Sequence, residues 1–167
     1  DEDTAARLYA ATQTILDDAG LPAYEISNHA RPGAESRHNL TYWRYGEYAG
    51  IGPGAHGRLL LDESGGRVTV ATRQHRAPEA WLEAVEAHGH ATRTAAPLSA
   101  EDERAEFTLM GLRLSEGLAV ARAKSRLGRA LFDLYAGERI ARLVAEGLLV
   151  KDDAGLRATP AGRMRLN

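Results

Sequence analysis

The stretch His38-Asn39-Leu40-Thr41-Tyr42-Trp43, followed by Gly50-Ile51-Gly52-Pro53-Gly54-Ala55-His56-Gly57, decides how this chain is interpreted. It places a histidine–aromatic cluster beside a glycine-rich turn, a composition typical of a site and not of a core. Glycines let a backbone approach a ligand closely or adopt positive φ. The turn is not a Walker A loop, since no Lys-Ser/Thr follows, and Pro53 interrupts any GxGxxG-plus-helix pattern. From its residues alone, the turn is as consistent with a structural role as with cofactor binding.

Upstream of this stretch the pattern indicates one step of an α/β protein. Residues 4–19 have the apolar spacing of an amphipathic helix, with Gly20 as its stop. Residues 23–27 are predicted to form a short strand, and 49–52 a second one. A helix, a short turn and a strand in succession are typical of α/β architecture. Residues 28–47 are predicted to be irregular.

Downstream, two apolar segments at 58–61 and 67–70 flank the turn residues 62–66 and predict a β-hairpin. Pro78 is predicted to open a helix, because proline suits the first helical position. Residues 91–98 are polar and lack helical periodicity, so they are predicted to be a linker.

After the linker, the pattern predicts a mainly helical domain over residues 99–167. Ser99 to Asp102 resembles a capping box before an apolar helix, and further helices are predicted at 118–127 and 138–146. A small hairpin, 148–150 with 156–158, and a last short helix reaching Arg165 complete a winged-helix-like pattern. A winged helix suggests DNA binding with helix 138–146 in a major groove, or equally a fold used for protein packing. The basic residues available for phosphate contacts are Arg122, Lys124, Arg126, Arg129, Arg139 and Arg142.

Composition narrows the function classes. The 167 residues are 44% hydrophobic and carry a formal net charge of -2. Nucleic-acid binders usually show a strong basic excess, so nucleic acid is an unexpected partner. The sequence has no apolar run of the roughly 20 residues that span a bilayer, and we expect a cytoplasmic protein. With no cysteine, the chain has no thiolate ligands for zinc or an iron–sulfur cluster.

Three histidines, His29, His38 and His56, fall in predicted loops near the strand ends. Neutral imidazoles ligate metals and heme iron, although the spacing matches no zinc signature. The alternative is that each ring hydrogen-bonds to the backbone of its own loop. His88 and His90 are interpreted as surface residues.

Four motifs in order then give the chain a family resemblance. They are residues 24–27 (YEIS), 29–33 (HARPG), 38–43 (HNLTYW) and 50–57 (GIGPGAHG). Together they resemble the oxygen-independent coproporphyrinogen III oxidase-like radical SAM proteins. The His-Asn-x-x-Tyr-Trp motif is characteristic of the heme-chaperone branch and is missing from the true oxidases. The resemblance covers residues 1–75 well and residues 99–167 more loosely.

The resemblance implies a fold and a set of cofactors. Residues 1–90 would be the last αβ units of a radical SAM partial TIM-type barrel with a hairpin, and 99–167 the winged-helix-like C-terminal domain. Family members hold a [4Fe-4S] cluster and S-adenosylmethionine through a CxxxCxxC loop that this chain does not contain. The chain is therefore expected to be a C-terminal part of a longer protein, and inactive alone as an oxidoreductase. Exposed barrel edges at 23–27 and 49–70 would favour self-association.

The resemblance also implies site residues. S-adenosylmethionine would contact two segments, one on a late strand and one on the last strand and the turn after it: Tyr24, Ile26, Ser27, Ile51, Gly52 and Ala55. His38 would be the axial ligand of heme iron, with Tyr42 and Trp43 packed on the porphyrin or holding the loop. Alternatively, the motif is structural and heme is ligated elsewhere.

Three functions follow. The first is a heme chaperone that binds heme and delivers it to apo-proteins of the respiratory chain. The second is an S-adenosylmethionine-dependent oxidative decarboxylase of coproporphyrinogen III. The third, a winged-helix DNA-binding protein, leaves residues 1–75 unexplained.

Overall fold

The computed structural model describes residues 1–63 and 66–166. These residues form two compact units, one made of Asp1–Tyr45 with the chain from Glu106 onward, the other of Gly46–Ala105. The first unit contains α1 (Glu2–Asp18), α2 (Arg37–Trp43), most of α4 (Ala100–Arg113), β4 (Leu118–Ala119), α5 (Val120–Leu127), a 3-10 helix (Leu131–Leu134), α6 (Gly137–Ala145), β5 (Leu149–Asp152), β6 (Gly155–Ala158) and α7 (Pro160–Arg163). The second contains β1 (His56–Glu63), β2 (Gly66–Gln74), α3 (Pro78–His88) and β3 (Thr92–Pro97). None of the described helices is both long and apolar enough to cross a bilayer.

Helix α1 confirms the first predicted helix. Asp1 caps it, since its carboxylate accepts the Thr4 N–H at 2.8 Å. The helix ends before Gly20, which has φ +73°. Leu8 and Ile15, which the periodicity predicts to face inward, are 64% and 66% exposed. Tyr9 and Leu16 of the predicted face are half-buried, so the described residues cover this face only in part, and the prediction of an inward side is wrong for Leu8 and Ile15.

The core of the first unit surrounds Phe107, which is 1% exposed. Tyr45 meets it edge to face, with ring centroids 6.0 Å apart and planes at 87°. Such aromatic pairs add to the roughly 1.5–3 kcal/mol gained by burying one large apolar side chain. The other buried members of the cluster come from the segment after α4: Leu118, Ala123, Leu131, Leu134, Ile140 and Leu156.

A three-stranded antiparallel sheet of order β4-β6-β5 closes this unit. The predicted hairpin is confirmed as β5 and β6, and the helix predicted at 138–146 is confirmed as α6. The helix predicted from Leu118 begins instead at Val120. Leu118 and Ala119 pair with β6 as a short strand, which puts Leu118 opposite Leu156 in the core. The pairing partner is 38 positions away in sequence, so local periodicity does not predict it.

The second unit is an antiparallel sheet of order β1-β2-β3. The predicted hairpin is confirmed, with Leu59 opposite Val70; Ser64 and Gly65 of the predicted turn lie outside the described residues. The segment predicted as a linker is a strand over most of its length, because Thr92–Pro97 pairs with β2 as the third strand of the sheet. This edge strand leaves most of its side chains exposed, so it lacks the alternating apolar pattern that marks a strand.

The outer edge of β1 is partly covered within its own unit. Tyr48 and Arg58 exchange backbone hydrogen bonds of 2.9 Å, and the Glu47 carboxylate accepts the Leu60 N–H at 2.8 Å. Occupied edge groups reduce the tendency of a strand to pair with another chain. Self-association across this edge stays a prediction.

The two predicted barrel strands are wrong as continuous strands. Residues 23–27 make only isolated bridges, Ala23 with His29 and Glu25 with Leu114. The Tyr24 N–H donates to the Asn28 carbonyl at 3.1 Å, so the chain folds back on itself. Residues 49–52 likewise have no strand pairing among the described residues. A strand needs a neighbour for its backbone groups, whereas residues 23–27 find partners in a local turn and in Leu114 and Ser115.

Gly117 is the glycine on which the junction of α4 and β4 depends. It has φ +70°, and a Cβ there would lie 2.2 Å from the Leu156 carbonyl oxygen. Gly128 has a similar φ of +66° but open space around it. We predict that Gly128→Ala costs about 1–2 kcal/mol from left-handed strain. Gly117→Ala should cost a further 1–3 kcal/mol or so from overpacking.

Urea unfolding followed by circular dichroism measures both variants. Equal losses of stability would contradict the close approach of Gly117 to β6.

Candidate functional site

The histidine–aromatic motif is helical, which corrects the prediction of an irregular segment. Ser36 caps α2, its Oγ accepting the Asn39 N–H at 3.3 Å. The Thr41 hydroxyl donates to the Arg37 carbonyl at 2.9 Å. The helix has only seven residues, too few for a clear apolar period. In a helix, residues four positions apart lie side by side, so their side chains can contact each other.

His38 and Tyr42 form the exposed pair of this helix. The Tyr42 Oη lies 2.6 Å from His38 Nε2, and the rings meet edge to face with centroids 4.6 Å apart. His38 is exposed, and Tyr42 half-buried. A hydrogen bond to one ring nitrogen orients an imidazole and selects its tautomer. With the proton on Nε2 donated to Tyr42, Nδ1 retains a lone pair suited to a soft or borderline metal.

Asn39 and Trp43 hold the same helix from its other side. Asn39 Nδ2 donates to the Tyr24 hydroxyl at 3.1 Å. The Arg113 guanidinium lies 4.6 Å from the centroid of the Trp43 ring, a cation–π contact. The motif therefore divides into an exposed pair and an anchoring pair.

Behind Trp43 lies a fully buried carboxylate. Glu25 is 0% exposed, and Arg113 reaches its Oε2 at 3.4 Å. Its Oε1 accepts the Ser27 N–H at 2.8 Å and the Asn28 amide at 2.6 Å. Trp43, Arg113 and Glu25 thus form a stack, here called the Trp43–Arg113–Glu25 stack. Sequence reasoning missed Glu25 and Arg113, because each is a lone charge in an otherwise apolar pattern.

A second ionic cluster fixes the end of α2. Arg44 holds Glu116 in a bidentate pair, with both N–O distances 2.8 Å. Arg122 also donates to Glu116. The hydrogen bond from Arg44 is the main reason that the pKa of Glu116 lies below its usual value, and the charge of Arg122 lowers it further. The pKa of Arg44 is raised in turn by Glu116.

The glycine-rich turn belongs to the second unit and is structurally tight. A Cβ at Gly50 would lie 2.2 Å from the His56 carbonyl oxygen, and one at Gly57 would lie 2.4 Å from the Thr72 hydroxyl. These two glycines are required by packing. Gly52, at φ +105°, has open space around it, and Ile51 is 86% exposed. The turn thus has a structural role at its ends and an exposed middle.

The residues implied for S-adenosylmethionine lie in both units. In the first, Ile26 is 1% exposed, and Ser27 is exposed. The Tyr24 carbonyl is occupied by the Ser115 N–H and hydroxyl, at 3.0 and 3.1 Å. In the second, Ala55 is half-buried, and its carbonyl accepts the Gln74 N–H at 2.8 Å.

His29 illustrates the structural alternative for a loop histidine. Its Nδ1 lies 3.2 Å from the Leu21 carbonyl, and its Nε2 lies 3.3 Å from the Gln13 amide nitrogen. Both ring nitrogens are therefore engaged. Among the described residues no group of three or more His, Asp or Glu side chains is placed to hold a metal ion. With no cysteine, the residues present do not fit an iron–sulfur cluster.

Comparisons with known proteins bear on the resemblance. Residues 98–165 match the model of the HemN C-terminal domain. The mitochondrial radical S-adenosyl methionine domain-containing protein 1 of Mus musculus is 40% identical over 97% of this chain and 37% of its own length. The heme chaperone HemW of Mycobacterium tuberculosis (strain H37Rv) is 36% identical over 99% of this chain and 38% of its own. The chain thus spans about two fifths of the curated relatives it matches.

A solved structure shows the fold. The coproporphyrinogen III oxidase HemN of Escherichia coli, a radical SAM enzyme, superposes with a TM-score of 0.63 over 94% of this chain and 38% of that one, at 17% identity. The described chain therefore has the fold of the corresponding part of that structure. The chain is homologous to the HemW heme chaperones and to the radical S-adenosyl methionine domain-containing proteins, and its C-terminal part matches the HemN C-terminal domain, which confirms the sequence resemblance.

The Trp43–Arg113–Glu25 stack gives the first prediction of this site. Arg113→Ala leaves a buried carboxylate without its cation, and breaking such a pair costs about 3–5 kcal/mol. We expect a loss near the lower end, because Ser27 and Asn28 still bind the other carboxylate oxygen. Thermal and urea unfolding measure it. Arg104→Ala is the control on the same helix, since its pair with Glu101 is exposed and worth less than about 1 kcal/mol.

A second variant tests the cause. Glu25→Gln combined with Arg113→Ala removes the buried charge, so it should recover part of the lost stability. A double variant as unstable as the sum of the two single variants would contradict a coupled pair.

The Arg44–Glu116–Arg122 cluster gives a prediction about pH. A carboxyl whose pKa is lowered on folding adds stability above its unfolded pKa of about 4.3, and loses it as pH falls through the folded pKa. Glu116→Gln should therefore be less stable than the parent chain at pH 7, by under about 1 kcal/mol for so exposed a pair. The difference should shrink as pH falls below about 4.3 and vanish only below the lower pKa of Glu116 in the folded chain. A difference that is constant from pH 7 to pH 3 would exclude this linkage.

Proposed function

We propose that this chain supplies the heme-binding helix of a radical SAM-type heme chaperone, which binds heme and delivers it to apo-proteins of the respiratory chain. One observation carries the proposal: α2 presents an exposed imidazole whose orientation is fixed by Tyr42, while Asn39 and Trp43 anchor the helix from behind. The relatives named heme chaperones support it.

Different residues of α2 present the iron ligand and hold the helix in place. His38 offers a nitrogen to heme iron, and the Tyr42 hydroxyl fixes the ring. Partners of this kind typically change metal affinity 10–100-fold. The arginine stacked on Trp43 keeps the helix in place without occupying its exposed face. An exposed ligand suits delivery, since an acceptor's own ligands can reach the iron while it is still bound.

S-adenosylmethionine remains a proposed ligand of the longer protein. Gly52 and Ala55 fit an adenine, because a flat base needs close backbone approach and small side chains. Tyr24, Ile26 and Ser27 fit less well, since Ile26 is buried and the Tyr24 carbonyl is occupied. We assign no step to an iron–sulfur cluster.

We further propose that α4 to α7 with the sheet β4-β6-β5 form the family's winged-helix-like domain, used for protein packing. Several of the basic residues considered for DNA contacts are engaged within the chain, among them Lys124 and Arg129, which donate to backbone carbonyls. Arg122 binds Glu116, and Arg142 lies 3.7 Å from Glu146. With a net charge of -2, the DNA-binding alternative is not favoured.

The oxidase alternative rests on a fold likeness at 17% identity. The His-Asn-x-x-Tyr-Trp motif favours the chaperone. Anaerobic assay of the full-length protein with a reduced cluster and coproporphyrinogen III separates the two, because product formation would support the oxidase.

Titration of the chain with hemin tests the proposal. His38→Ala should weaken heme binding at least about 10-fold and shift or abolish the Soret band, since loss of a ligand exceeds loss of its supporting partner. Tyr42→Phe should keep the Soret band with reduced affinity. His88→Ala, an exposed histidine at the end of α3, is the control and should leave both unchanged.

An unchanged spectrum and affinity in His38→Ala would overturn the ligand assignment.

A further inference from the structure

The second unit contains a cavity whose wall is dominated by positive charge. Its volume is about 420 Å³, and Arg73, Arg76, Arg93 and His56 line it. Gly54, Gln74 and Thr94 complete the wall. No acidic side chain among the described residues is part of this lining. None of these residues was singled out for a ligand by the sequence, apart from His56.

The sheet itself gathers these side chains. His56 on β1 lies opposite Arg73 on β2, and Arg73 lies opposite Thr94 on β3, so the three form one row across the sheet. Residues directly opposite each other in neighbouring strands project to the same face. The β2–β3 register then shifts between Arg73 and Gln74, where Arg93 is the extra residue. A bulge of this kind re-aims a side chain, and it brings a second arginine to the row.

The glycine-rich turn lies next to the third arginine, Arg76, which follows β2. The Gly54 N–H donates to the His75 carbonyl at 2.7 Å, which ties the turn to the chain after β2. A Cβ at Gly54 would lie 3.8 Å from Arg76 Cγ. The turn thus packs directly against the Arg76 stem, and its structural role extends to this cavity.

The arginines are not balanced within the described chain. Arg67, on the same strand, pairs with Asp62 at 3.3 Å, whereas Arg73, Arg76 and Arg93 make no ion pair with a described acidic residue. All three arginines are exposed, and they line one cavity. Each guanidinium presents a fork of donors that matches a carboxylate or phosphate in two parallel hydrogen bonds. An anion in the cavity would be attracted by all three positive charges.

We propose that this cavity binds a small organic polyanion with at least two oxyanion groups, carboxylate or phosphate. The volume is within the 300–1,000 Å³ typical of ligand pockets and well above that of a single inorganic ion. The ligand is not S-adenosylmethionine, whose cationic sulfonium would be repelled here. The site is independent of heme binding, so either proposal survives failure of the other.

Isothermal titration of the 167-residue chain with citrate and with inorganic pyrophosphate, at constant ionic strength, tests the site. We expect one of them to bind with a Kd below about 1 mM, some 4 kcal/mol of binding free energy. Preference for citrate identifies a carboxylate ligand, and preference for pyrophosphate a phosphate ligand. The double variant Arg73→Gln with Arg93→Gln should bind at least tenfold more weakly. Arg67→Gln, with a charge change on the same strand but outside the cavity, should bind as the parent chain does.

Two further measurements keep the test decisive. If the double variant does not fold by circular dichroism, Arg76→Gln, outside the strands, replaces it. Amide chemical shifts of Gly54 and Thr94 should move on titration. Absence of binding by both anions, or equal weakening by Arg67→Gln, would overturn the proposal. So would binding of a single-stranded oligonucleotide with neither small anion, which would point to nucleic acid.

Discussion

The buried carboxylate of Glu25 is the constraint on which the candidate heme site depends. A carboxylate with no exposed surface requires compensation, and it receives it from Ser27, Asn28 and Arg113. Arg113 reaches Glu25 at 3.4 Å while its guanidinium lies 4.6 Å from the centroid of the Trp43 ring. The position of the motif helix is thereby coupled to the backbone fold at residues 23–29. An apolar residue at position 25 would remove this coupling, even if it packed equally well.

The same helix shows how a short motif serves two purposes. Four-residue spacing places His38 over Tyr42 and Asn39 over Trp43, on two different faces. His38 of the first pair is exposed, and the second pair is anchored to the protein through Tyr24 and Arg113. Arg44, directly after the helix, adds the pair with Glu116. In a flexible loop the His38 imidazole would have more conformational freedom. Ordering that loop when a ligand binds would then cost free energy.

The sequence predicted those elements whose signals are local. Helices α1, α3 and α6 and both hairpins follow from periodicity, caps and turn residues. The missed strands have two physical causes. Strand β4 pairs with a strand that is distant in sequence, and β3 leaves most of its side chains exposed. The segment 23–27 has strand composition, yet the Glu25 carboxylate and Asn28 turn it back. For the site, the motif pointed to His38 and Tyr42, but no local signal marks Arg113, whose partners are Glu25 and Trp43.

The glycine-rich turn connects packing with chemistry in the second unit. Gly50 and Gly57 have no room for a side chain, so close packing explains both glycines without any contact with a ligand. Gly54 differs, because its backbone N–H donates to the carbonyl of His75, the residue directly before Arg76. Arg73, Arg76 and Arg93 line one cavity and make no ion pair with an acidic residue of the described chain. In a chain with a net charge of -2, this local excess of positive charge supports the proposal of an anion site.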